Sequence, residues 1–279
     1  MRHAPRPRRQ TSAVAATALI GVLACGTEVI RPGADLPALD LRSVSTQEWI
    51  RLGERRVYFG HQSVGAGLIA GVADVLAAHP EIALRVVEVT AAGDMAEPAL
   101  YHGPIGENGR PDTKTSAFVR LVSRSLDGPG VAMLKYCYVD VKADTDPDAM
   151  FEAYRTAADS LRAANPELTI VHFTLPLWVD NGLWFHVRTV VRGRTSHREL
   201  NLFRERYNAR LRATYGGREP VFDLALLEST GPDGGRTVVR FRGERVPVLA
   251  PRWTDDGGHL NVAGRRRMAE ALLATLAKL

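Results

Sequence analysis

Two short stretches near opposite ends of the chain carry residues that can do chemistry together. The first is Arg56-Val-Tyr-Phe-Gly-His-Gln-Ser63-Val-Gly65, where an apolar run stops at a glycine and a serine opens the next segment. The second is Asp256-Gly-Gly-His259-Leu-Asn, just ahead of the last apolar-periodic segment. A serine hydroxyl is a weak nucleophile until a base takes its proton. Imidazole is such a base, and a carboxylate beside it fixes the ring tautomer and stabilises the imidazolium that forms. An aspartate three residues before a histidine on a glycine-containing loop reaches the ring locally, so Ser63, His259 and Asp256 have the types that acyl transfer through a serine requires. Each stretch also has a plainer reading. Ser63 can simply cap a helix, and Asp256 with His259 can be an ordinary loop contact.

The elements that must position these groups follow from periodicity. Val57, Tyr58 and Phe59 predict a short buried strand, and Val64, Leu68, Ile69, Val72, Val75 and Leu76 recur at helical spacing, which puts Ser63 at a strand-to-helix turn. There a hydroxyl stands beyond the carboxyl edge of a sheet, beside N–H groups of a helix start that can receive developing negative charge. Val262, Met268, Leu272, Leu273 and Leu276 predict a closing helix after His259. Between these ends, strands are expected over Ala83–Val89, Val131–Val139, Leu168–Thr174 and Pro220–Ala225, and helices over Thr113–Leu126, from Asp146-Pro147 to Asn165-Pro166, and over Asn201–Thr214. Arg236–Leu249 predicts a β-hairpin turning at Gly243-Glu, and the polar, glycine-rich passage Ala91–Asp112 predicts a functional loop or lid. Alternation of this kind calls for an α/β domain, a mostly parallel sheet with helices on both faces, whose sites form beyond the carboxyl ends of the strands.

With an N-terminal strand–Ser63–helix and an Asp256-x-x-His259 before the last helix, the sequence resembles the SGNH hydrolase (GDSL esterase/lipase) superfamily from about Arg56 to the end. The resemblance implies a flavodoxin-like three-layer sandwich, Ser63 as nucleophile and His259 as base. Two departures stand out. The usual Gly-Asp-Ser is replaced by Gly60-His-Gln-Ser63, and the usual Gly-x-Asn-Asp is absent from Val131-Ala-Met-Leu-Lys-Tyr-Cys-Tyr-Val-Asp140. The oxyanion site is therefore open to several donors. The Ser63 N–H is one. Gly106 can offer a backbone donor and Asn108 a side-chain donor, unless they merely form an Asn-Gly turn. Lys135 and Tyr136 lie near the missing asparagine, although a strand lysine ordinarily snorkels to solvent. His61 either lines the site or packs under it. His172 is expected in the core, and His102, His186 and His197 on loops or helix edges. Asp255 is a second acid near His259, and Asp223 would be the acid of a classical α/β-hydrolase, whose Gly-x-Ser-x-Gly is not present. Trp178, Trp184, Phe185 and Trp253 are candidates for a cleft wall or for packing.

The first 24 residues carry Arg2, Arg6, Arg8 and Arg9 ahead of an apolar stretch too short to span a membrane well, the pattern of a secretory signal. Val22-Leu-Ala-Cys25-Gly resembles a bacterial lipobox, which implies lipidation at Cys25, a tether over residues 25–46, and a hydrolase domain over 47–279 on the cell envelope. The chain is formally +5, and residues 1–24 hold four arginines and no acids, so the remainder carries +1. That balance gives no reason to expect nucleic acid as a partner. With Cys25 assigned to lipid, Cys137 has no partner for an internal disulfide, no His/Cys cluster has metal spacing, and neither metal nor cofactor is expected. The expected activity is hydrolysis of an acyl ester, with a carbohydrate O-acetyl ester as one plausible substrate and the membrane met through the lipid. The alternatives are an O-acyltransferase and a glycan-binding lipoprotein without turnover.

Overall fold

A computed structural model describes residues 26–30, 40–89 and 95–279. The expected export signal and Cys25 lie outside the described residues. In chain order the elements are β1 (Thr27–Ile30), α1 (Thr46–Gly53), β2 (Arg56–His61), α2 (Ser63–Ala78), β3 (Val86–Glu88), β4 (Ala99–Pro104), α3 (Pro111–Ser125), β5 (Gly130–Leu134), α4 (Pro147–Ala164), β6 (Leu168–Phe173), α5 (Leu183–Val191), α6 (His197–Tyr215), β7 (Val221–Phe222), α7 (Leu224–Ser229), β8 (Arg236–Phe241), β9 (Glu244–Pro247) and α8 (Val262–Ala277). Six strands form a parallel sheet in the order β3-β4-β2-β5-β6-β7. Helices cover both faces, so the α/β sandwich expected from alternation is the observed architecture.

Two apolar cores flank the sheet because the strand side chains alternate. Val57 and Phe59 of β2 face a core shared with α1, α2, α7 and α8, while Tyr58 faces one shared with α3, α4 and α6. On the first face Phe59, Phe173 and Phe222 lie ring to ring across three strands, with centroids 5.2 and 4.8 Å apart. Met268, Leu272, Leu273 and Leu276 of α8 are wholly buried there, each worth roughly 1.5–3 kcal/mol of transfer from water. α2 and α8 approach closely at Gly71, where an added Cβ would lie 2.4 Å from the Arg265 carbonyl oxygen. In a parallel α/β unit both helices start at the carboxyl edge of the sheet, so their N-termini emerge side by side.

Several expectations are corrected. The passage 91–112 contains β4, which pairs with both β3 and β2; Ala99, Leu100 and Tyr101 are buried by that pairing, although the polar sequence around them hides the strand. The strand expected over 131–139 ends at Leu134. The Lys135 N–H makes a last bond to the Gly60 carbonyl, and the Asp140 carboxylate then accepts the Cys137 N–H at 2.7 Å, which turns the chain into a 3-10 turn at Tyr138–Asp140. The strand expected over 220–225 shortens to β7, because Asp223 caps α7 by accepting the Leu226 N–H. Within the stretch expected to be a tether, Thr27–Ile30 forms a strand along β8, and α1 starts at Thr46 behind a capping box of Ser45 and Glu48. β1, β8 and β9 make a separate antiparallel sheet. Its hairpin turns at Arg242 and Gly243, both at positive φ, which suits the twist of a two-residue connection. α5 was not expected at all.

Candidate active site

Ser63 is the first residue of α2. The capping position belongs to Gln62, whose side chain makes no bond to the helix end. The Ser63 hydroxyl faces His259 instead, with Oγ 3.2 Å from Nε2. On the other side of the ring, Nδ1 lies 2.6 Å from Asp256 Oδ2. The second Asp256 oxygen accepts the backbone N–H groups of Gly258 at 2.9 Å and His259 at 2.8 Å. These backbone donors, followed by the imidazole, hold the Asp256 carboxyl well below the usual carboxylate range. With Asp256 ionised, Nδ1 carries the proton and Nε2 is left free to accept one from Ser63. The loop itself is fixed locally. Gly257 has φ +94°, and an added Cβ at Gly258 would lie 2.3 Å from the Trp178 ring. Asn261 then caps α8 by accepting the Gly264 N–H at 3.0 Å. The Asp256 and His259 side chains are each about half exposed, so the three groups sit on an open rim.

The opposite side of the rim is built differently. The Gln62 amide donates to the carbonyls of Ile105 and Gly106 at 2.9 and 2.8 Å, which ties the turn after β4 to the residue beside Ser63. Gly106 has φ +56°, and an added Cβ would lie 2.5 Å from the Lys114 nitrogen of the backbone, so only glycine fits. Asn108 is turned away from Ser63's hydroxyl partner: its Oδ1 accepts from Lys114 Nζ at 3.0 Å. Lys114 Nζ also reaches both oxygens of Asp140, at 2.8 and 2.6 Å, with both side chains fully buried. Asp140 further accepts the N–H groups of Gly109 and Cys137 at 2.8 and 2.7 Å. One buried ion pair thus joins the 106–109 turn, α3 and the segment after β5.

That segment contributes Tyr138, whose hydroxyl lies 3.4 Å from the same His259 nitrogen that faces Ser63. The Tyr138 ring stands edge-on to Trp178 at 4.7 Å, and its carbonyl accepts two N–H groups of buried Arg204. Burial, then the nearby Asp256 charge, raises the phenol above its ordinary range and keeps it a donor. Tyr138 is missing from the sequence expectations because the strand was expected to run through it. Its one sequence signal is its place a few residues past a buried strand at the carboxyl edge.

The remaining expectations sort by burial. Lys135 does not snorkel: it is fully buried, donating to the Tyr136 carbonyl at 3.1 Å. Tyr136 points to Thr115 and packs edge-on to Tyr154 and Tyr207, in the core rather than at Ser63. His61 is buried beneath the first turn of α2, where an added Cβ at Gly65 would lie 2.3 Å from its own Cβ. Its Nδ1 meets the Gln62 carbonyl at 3.0 Å and its Nε2 meets His102 Nδ1 at 3.1 Å. Burial lowers its pKa to about 4, so it stays neutral and structural. His102 lies within β4 rather than on a loop. His172 is a core histidine, bonded to Tyr154 and Glu219. Asp255 meets Asn261 and Asp223 meets Arg212, so neither serves His259. Trp178 flanks the site, Trp253 is buried and donates to the Thr230 carbonyl, and Trp184 is exposed. No group of His, Cys, Asp and Glu among the described residues has the arrangement of a metal site.

No family model and no curated protein matches this chain. Its structural neighbours include lipase/acylhydrolase and esterase folds at low identity. A protein from Streptococcus pneumonia provisionally described as a platelet activating factor is 13% identical over 85% of this chain and 94% of that chain, with a TM-score of 0.48. The lipase/acylhydrolase from Enterococcus faecalis is 15% identical over 80% and 96%, with a TM-score of 0.46. The C-terminal domain of Drosophila Oskar is 14% identical over 78% and 86%, with a TM-score of 0.40. Likeness at this level assigns no chemistry, and the functional reading rests on the geometry above.

Proposed function

We propose that the chain is a serine hydrolase of acyl esters. The observation that carries this reading is the continuous line Ser63 Oγ–His259–Asp256, with spacings of 3.2 and 2.6 Å, on an open rim at the carboxyl edge of the sheet. Ser63 attacks the acyl carbon while His259 Nε2 takes its proton, and Asp256 stabilises the imidazolium. The oxyanion is received by the Ser63 N–H at the start of α2 and by the Gly106 N–H, with the Tyr138 hydroxyl as the donor in place of the family's asparagine. His259 returns the proton to the departing alkoxide, and water repeats the sequence to free the enzyme.

The substrate class we infer is a small O-acyl ester on a carbohydrate, since a shallow, half-exposed rim admits an acyl group carried on a larger alcohol. Transfer to a sugar hydroxyl instead of water uses the same groups. Export and lipidation at Cys25 complete the proposal and place the domain on the cell envelope; the lipobox-like Val22-Leu-Ala-Cys25 supports them. The test is turnover of activated short-chain esters by the parent, Ser63→Ala and His259→Ala. Each substitution is expected to lower kcat by at least about 10⁴-fold, in the range seen when members of such triads are removed. Equal turnover by all three would eliminate the triad, and a parent inert on a broad ester panel would favour glycan binding without turnover.

A further inference from the structure

α5 is nine residues long and none of them is buried. Trp184 and Val191 are 85% and 80% exposed, and Val187 and Val190 are also open to solvent. Trp184, Val187 and Val191 are spaced three and four apart and therefore share a helix face. A helix in water ordinarily turns such a stripe inward; a contiguous exposed one marks an interaction surface. Its surroundings are basic. Arg188, Arg192 and Arg194 lie in or just after α5, and no acid occurs between Asp180 and Glu199. Indole and aliphatic groups on one side, with arginines at the border, fit the junction between lipid headgroups and acyl chains.

A second observation concerns where the chain enters the domain. β1 begins at Thr27, two residues after Cys25, and Thr27 Oγ1 donates to Asp180 Oδ2 at 2.6 Å. Arg198 also holds Asp180, at 2.8 Å. The 25 residues before the domain are therefore delivered to the root of α5. We propose that α5 docks the domain on an anionic lipid surface. The site lies one aromatic stack away: Phe185 lies parallel to His197 at 6.2 Å, His197 to Trp178 at 4.5 Å, and Trp178 meets Tyr138 edge-on. Docking through α5 brings the open rim to the lipid surface without covering Ser63.

The test uses the full chain and vesicles of phosphatidylcholine with about 30% phosphatidylglycerol, chosen because each arginine near an anionic surface is worth roughly fivefold in binding. Residues 1–25 contain no tryptophan, so Trp184 reports on α5 rather than on the leader. The expected result is a blue-shifted emission quenched by lipids brominated near the glycerol, with the quenched component removed by Trp184→Phe. Combining Arg188→Ser, Arg192→Ser and Arg194→Ser is expected to weaken vesicle binding on the order of a hundredfold at low salt. Vesicle-bound chain with unquenched Trp184, equal binding to pure phosphatidylcholine, or a triple arginine variant that binds like the parent would each overturn the proposal. Turnover of a soluble ester is a separate readout, expected to be the same in all these variants, and its absence in the parent would count against the hydrolase reading alone.

Discussion

The two sides of the rim hold their groups by different means. The base side, residues 254–261, is exposed and organised by bonds across two or three residues: Asp256 takes the N–H groups of Gly258 and His259 as well as the ring. The receiving side is organised by partners 26 and 31 residues away in the chain, through the buried Lys114–Asp140 pair and its bonds to Gly109 and Cys137. A carboxylate in each half accepts backbone N–H groups and pairs with a cation or imidazole. One is in water and the other is not. The comparison teaches that similar bonding can serve chemistry in one place and architecture in the other, because only the buried carboxylate loses its solvation when its partner goes.

The sharpest way to break that comparison is to replace the two acids' partners in turn. Asp256→Asn is expected to lower kcat by about 10³- to 10⁴-fold, because an amide facing Nδ1 favours the wrong tautomer, while thermal unfolding stays close to the parent's. Lys114→Met is expected to do the reverse. It strands the Asp140 carboxylate in the interior, at a cost of roughly 3–5 kcal/mol in denaturant unfolding, with turnover largely kept in the folded fraction. Similar unfolding curves for the two variants would remove the distinction between the halves. Tyr138→Phe sharpens it further. If the phenol donates to the reacting centre, kcat drops roughly ten- to a hundredfold with little change in KM; a change confined to stability would return Tyr138 to the architecture. The smallest expected effect is at His61. Its buried ring has a pKa lowered to about 4, so the unfolded chain binds its proton first, and the stability it contributes is fully present above pH 6.5 and lost as pH falls toward 4. The stability gap between the parent and His61→Asn is expected to narrow by about 1 kcal/mol between pH 7 and 5.5.

The same division decides what was legible in the sequence. The turn at Ser63 was legible because strand and helix periodicities meet there, and the loop at Asp256 and His259 because its groups are three residues apart. The sandwich was legible from alternation. β4 was not, since its burial comes from pairing with β2 and β3 and its six residues carry histidine, glycine and proline. Lys135 and Asp140 were not, because a buried charge looks like a surface charge until its partner is known. Tyr138 was hidden by the same error, for the bond from the Cys137 N–H to Asp140 ends the extended run before it. α5 was missed because its apolar residues have no partner within the chain to make them look like a buried face.

Gly71 and Gly264 bear on more than packing. Each leaves no room for even one carbon, against the Arg265 carbonyl and the Trp253 carbonyl respectively. The serine heads one of the two rods held by these glycines, and the imidazole heads the other. The spacing between alcohol and base is thus calibrated two turns inside the protein, where neither reacting group is present. A methyl at Gly71 would act as a shim, opening the gap at the rim while every residue at the rim stayed the same.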